Sequence, residues 1–148
     1  MLDKLLSFFA TDTPEAMQED DAKVALAGLL ARIAKSDGTY DVEEISRMDR
    51  VLAKRYDLNP VEAAKLRVHG EELEAKAPDT VRFTSTIKHS VPYEDREGVV
   101  EALWSIALAD GKRSDEEDAI LRTAPKFLGV NDRDSHLARQ RVEASLTK

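Results

Sequence analysis

One short phrase occurs twice in this chain, 73 residues apart. The first copy is Ile33-Ala34-Lys35-Ser36-Asp37-Gly38, followed by Glu43-Glu44. The second is Ile106-Ala107-Leu108-Ala109-Asp110-Gly111, followed by Glu116-Glu117. An apolar helix that runs into Asp-Gly, crosses a short polar gap and restarts on paired glutamates is a defined local device. Glycine ends the helix because it adopts the left-handed conformation at little cost. The acids restart it because they cap free amides and face the positive end of the helix. Used twice, the device implies an internally duplicated helical protein.

The duplication extends beyond the phrase. At the same offset Leu26 pairs with Val99, Leu30 with Leu103, Ile33 with Ile106 and Met48 with Leu121, and Leu58-Asn59 matches Val130-Asn131 at one residue less. Each unit reads as long helix, acidic loop, helix, short capped turn, helix. Such a unit cannot bury its apolar stripe alone, so two units should share one core. Aromatic content is 5 % and no long stretch alternates apolar with polar, so strands are not expected. The expected fold is all-α, a single domain of about seven to eight helices, two similar halves with approximate internal two-fold symmetry. The internal repeats cover about residues 22–75 and 95–146 of a domain spanning 20–148, preceded by a short helix and linker over 1–19.

Local signals place the helices. Thr13 and Pro14 form a start signal for the first long helix, in which Val24, Leu26, Leu29, Leu30 and Ile33 make the apolar face. Ala27, Gly28, Ala31 and Ala34 allow a close helix approach. Asp41 with Glu44, Asn59-Pro60 with Glu62, and Ser114 with Glu117 are cap signals. Thr80 restarts the chain after Pro78, Pro92 opens the second long helix, and Pro125 should loosen a helix late in its run. The final helix should end near Leu146.

Composition narrows the function classes. A length of 148 residues, with 42 % hydrophobic and 34 % charged residues, suits a globular domain with a charged helical surface. With no cysteine there is no disulfide, thiolate metal site or thiol nucleophile, which fits a cytoplasmic chain. The net charge of −7 argues against nucleic-acid binding. Lys126, Arg133, Arg139 and Arg141 are diluted by acids and read as a solvated helix face. No apolar run is long enough to span a membrane. Leu2, Leu5, Leu6 and Phe9 share a helical face over residues 1–9, which could cover the core or touch a membrane surface peripherally.

Enzymatic chemistry finds no arrangement to support it. His69, His89 and His136 are scattered and read as helix-surface residues, and the glycines are dispersed. Trp104 lies on the apolar stripe of its helix, where its indole N–H needs a partner. A hydrolase built on paired carboxylates around a metal would lack a local nucleophile or histidine. The chain is therefore expected to be non-enzymatic, with no catalytic residue.

The calcium-hand pattern fails on position. With Gly38 or Gly111 at the loop glycine, the first and third ligand positions fall on Ile33 and Lys35, or Ile106 and Leu108, which cannot ligate calcium. Two readings of the acids remain. Asp37, Asp41, Glu43 and Glu44 in one loop, and Asp110, Asp115, Glu116 and Glu117 in the other, could offer oxygen ligands to a hard divalent cation such as Ca²⁺ or Mg²⁺. Alternatively they are only helix caps and turn acceptors.

The run from Ala102 through Gly111, then Glu116-Glu117 and Phe127-Leu128-Gly129-Val130, resembles the tellurite-resistance protein TerB-like family. So do Ala34-Lys35-Ser36-Asp37-Gly38 with Glu43-Glu44, and Arg82-Phe83-Thr84. The similarity covers about residues 20–146. It implies an all-α fold of two similar halves, acidic residues proposed to bind divalent cations, and a place in bacterial stress or tellurite-resistance systems. Carried over by motif, the metal positions are Asp37 and Glu44, and Asp110 and Glu117. The approach to the first Asp-Gly, through Lys35 and Ser36, departs from the alanine-rich second copy. The resulting expectation is a non-enzymatic protein that binds a divalent cation at its acidic loops. The alternative is a protein-interaction module, with a protein partner of unknown identity, whose acidic loops are only caps.

Overall fold

The computed structural model describes residues 6, 19–35, 40–77, 79–109 and 115–146. Over these residues the chain forms seven α-helices and no strand. They are α1 Glu19–Lys35, α2 Val42–Tyr56, α3 Pro60–Lys76, α4 Thr80–Ser90, α5 Tyr93–Ala109, α6 Asp115–Phe127 and α7 Asp132–Leu146. The expected all-α single domain is the architecture observed. The start signal at Thr13 and Pro14, both helix-stopping glycines, Gly38 and Gly111, and Ser114 lie outside the described residues.

The helix ends follow local chemistry. Asn59 caps α3 through a full capping box: its side chain accepts the Glu62 N–H at 2.8 Å, and Glu62 accepts the Asn59 N–H at 3.1 Å. Pro60 occupies the first turn, where no N–H is missed. Asn131 caps α7 from its side chain, accepting the Asp134 N–H at 2.8 Å, while its own N–H goes to the Tyr93 hydroxyl at 3.3 Å. Helix α2 ends on Asp57 in the left-handed region (φ 55°), and Gly129 (φ 72°) follows α6. Pro125 lies inside α6, which ends two residues later where the Gly129 and Val130 N–H groups turn back onto the Lys126 and Pro125 carbonyls.

In each half the first and third helices pack most extensively on one another, α1 on α3 and α5 on α7. The α1–α3 crossing depends on small residues. A Cβ added at Gly70 would stand 2.7 Å from the Ala27 Cβ and 2.8 Å from the Gly28 nitrogen, so only glycine permits this approach. Contacts of α2 and α1 with α5 join the halves, and α4 packs on both α1 and α6. Phe83 and Ile87 of α4 are fully buried between them. The matched pairs Leu26 and Val99, Leu30 and Leu103, and Met48 and Leu121 are all buried, so duplicated apolar positions feed one core. Leu6 is helical and packs against that core.

Candidate functional site

The first acidic loop leaves α1 at Lys35 and returns at Tyr40, with Asp37 outside the described residues. Its exit is fixed. Asp41 adopts extended backbone angles, and its Oδ1 accepts the Glu44 N–H at 2.9 Å. That bond seats Glu44 in the first turn of α2, where a carboxylate meets the positive end of the helix.

Behind the loop a partly buried polar network ties α2 to α3. The Tyr40 hydroxyl donates to the Glu71 carboxylate. Arg67 donates from Nε to Asp49 Oδ1 at 2.6 Å and from Nη1 to Glu71 Oε1 at 3.1 Å. At the other flank Lys35 Nζ lies 3.6 Å from Glu74 Oε1 and 5.4 Å from the centre of the Tyr40 ring. Arg32 donates to the Glu74 carbonyl at 3.1 Å. Desolvation, reinforced by the hydrogen bond to Glu71, pushes the Tyr40 phenol well above its ordinary range. Burial works against the Arg67 charge, but Asp49 and Glu71 outweigh it and hold the guanidinium protonated.

The second acidic loop joins α5, ending at Ala109, to α6, starting at Asp115. Asp110 lies outside the described residues. Glu117 lies in α6, and its side chain is also outside them. Of the four sequence-predicted metal positions, Glu44 alone has a described side chain, with Asp41 and Glu43 beside it in sequence. Among the described residues no group of three or more His, Asp or Glu side chains is placed to hold a metal. Ile33 and Lys35, and Ile106 and Leu108, belong to α1 and α5, as their exclusion from a calcium hand requires.

The remaining candidates fall where their sequence context puts them. His69, His89 and His136 are exposed on helices. The Arg139 guanidinium lies 5.0 Å from the centre of the Trp104 ring, and Trp104 Nε1 has no hydrogen-bond partner among the described residues. Lys126, Arg133 and Arg141 are exposed and Arg139 is half-buried, as a solvated face requires. Arg141 Nε stands 3.2 Å from Glu101 Oε2, linking α7 to α5.

A feature not singled out in the sequence is a groove between α2, α5 and α7, with basic side chains at its walls. The signal was the spacing of Arg47, Arg50 and Lys54, three and four residues apart on one helix face. That this face meets Arg141 depends on packing between the two halves.

Comparison with known families agrees with this architecture. The family model described as tellurite resistance protein TerB matches residues 23–140. No curated protein and no solved structure gives a significant match. The family match begins in α1, ends in α7 and spans both Asp-Gly loops. The chain therefore belongs to the TerB family.

Proposed function

We propose that this TerB-family chain acts by binding and not by catalysis. It takes a divalent cation, Ca²⁺ or Mg²⁺, at the acidic loops containing Asp37 and Glu44, and Asp110 and Glu117. Its setting is the cytoplasm, in a stress or tellurite-resistance-type system. The observation that carries this reading is the fixed frame around the first loop. Lys35 is paired with Glu74, Tyr40 is bonded to Glu71, and Asp41 caps α2, so the flanks of the loop are anchored on both sides. The residue types suit a hard cation, since Asp37 and Glu44, and Asp110 and Glu117, are all carboxylates. Isothermal titration with each metal tests the proposal. Heat of binding in the wild type and its loss in Asp37→Ala/Asp110→Ala are expected. No heat at millimolar metal, or unchanged binding in the double variant, would refute it.

The Asp41 cap bond itself favours a second reading, in which the acids serve only helix ends and the negative surface recruits a basic protein partner. Under that reading Asp41→Ala lowers stability by about 1 kcal/mol, and the loop variants alter no metal binding.

A further inference from the structure

The molecule carries a net charge of −7, yet its charge reverses at the groove between α2, α5 and α7. Arg47, Arg50, Lys54 and Arg55 line it from α2 and Arg141 from α7, with Glu101 as the one acid among the lining residues. The groove has a volume of about 360 Å³, within the range of small-ligand sites, roughly 300–1,000 Å³.

The walls hold two of these cations, Arg55 and Arg141, in place. A Cβ at Gly98 would collide with the Arg55 guanidinium, so the bare glycine gives that group its berth against α5. Across the groove Arg141 is held by Glu101 at 3.2 Å and Glu97 at 3.7 Å. A guanidinium has five N–H donors, more than those two carboxylates use. Val51, Ala102 and Val142 supply an apolar part of the lining.

The stripe of Arg47, Arg50 and Lys54 spans seven residues of helix, about 10 Å. Arg50 and Lys54 stand four apart on this face, a spacing at which like charges repel, so an anion between them would be favourable. Four of the five cations are arginines, whose planar forks match phosphate oxygens two at a time. Their spread exceeds the reach of a single phosphate, and the volume suits a small molecule better than a peptide chain.

We propose that this groove binds a small polyphosphate, a ligand carrying two or more linked phosphate groups. The site is separate from the acidic loops and does not depend on cation binding there.

Isothermal titration at physiological salt with EDTA present tests this, using inorganic triphosphate and ATP as separate probes. Triphosphate binding is expected. Equal or tighter binding of ATP points to a nucleotide as the source, and weaker binding of ATP to free polyphosphate. Arg50→Glu/Lys54→Glu should weaken triphosphate binding about tenfold or more with unchanged helical circular dichroism. Lys65→Glu/Lys76→Glu, a matched charge change at two exposed positions of α3, should leave it intact. Amide chemical-shift changes on adding triphosphate to the wild type should map to α2, α5 and α7, which keeps the test independent of variant folding. The proposal fails if triphosphate does not bind, if Lys65→Glu/Lys76→Glu weakens it as much, or if the shifts lie elsewhere. Tighter binding of a polyglutamate peptide than of triphosphate would also overturn it.

Discussion

The Arg67 guanidinium bridges Asp49 and Glu71, and Tyr40 adds its hydroxyl to the same Glu71. The charged side chains are only 16–26 % exposed, so their attraction is screened less than that of a surface pair. Arg67→Ala leaves two partly buried carboxylates without their cation. It should cost about 2 kcal/mol, between the small worth of an exposed pair and the larger cost of breaking a buried one. Arg67→Lys should recover only part of the loss, because an ammonium cannot reproduce the two-sided fork. Tyr40→Phe removes one donor and should cost about 1 kcal/mol. Urea denaturation of the three variants measures these values, and an Arg67→Ala midpoint equal to wild type would show that the network contributes little. The sequence made part of this visible. Arg67 and Glu71 stand four apart on one helix, the spacing of a side-chain pair. Asp49 and Tyr40 join them only because α2 folds against α3, which local pattern does not specify.

At the scale of helices, the α1–α3 crossing carries the sharpest steric constraint. Gly70→Ala would raise helix propensity by about 1 kcal/mol. It would also press a methyl against Ala27 and the Gly28 nitrogen, largely backbone atoms of a helix with no room to retreat. Overpacking of this kind costs about 1–3 kcal/mol, so the variant should be less stable than wild type despite its better propensity. A rise in thermal midpoint would mean that α1 can shift outward. The caps predict a contrasting outcome: Asn59→Ala and Asn131→Ala should each cost about 1 kcal/mol. They sit on separate helices, so their losses should add in the double variant. Helix positions were legible because capping residues and prolines act locally: Asn59-Pro60, Thr80 and Pro92 each mark a start within a residue or so of the observed one. The small residues Ala27, Gly28 and Ala31 indicated a close approach but not which helix fills it. Gly70 identifies α3 only once the chain is folded. Of the candidate metal loops, the exit of the first was legible as the Asp41 cap, whereas any convergence of carboxylates depends on side-chain placement that helix signals do not encode.

Across the whole molecule, the three tyrosines tie tertiary packing to pH. Desolvation pushes the Tyr56 phenol up to about 12 from an ordinary value of 10.0, with Asp95 adding to the rise and Arg55 opposing it. Tyr40 is raised by desolvation and its bond to Glu71. Tyr93 is raised by desolvation and its hydrogen bond to Asp134, 2.6 Å away. Tyr40 joins the loop before α2 to α3, Tyr56 packs against the core, and Tyr93 joins α5 to α7, so phenolate formation anywhere disturbs a contact between elements or with the core. Below pH 10 both folded and unfolded chains keep these phenols protonated, and the stabilisation is fully present. Above it the unfolded chain loses protons first, and stability falls as pH rises toward the folded values. The decline is about 1.4 kcal/mol per pH unit for each phenol caught between its two values. Ultraviolet titration of the native protein should therefore show little phenolate at pH 10, where the urea-unfolded chain is half ionised. The urea midpoint should drop beyond that pH, less steeply in Tyr56→Phe. Native phenols that ionise together near pH 10 would mean that the contacts around Tyr40, Tyr56 and Tyr93 open in solution without unfolding the helices.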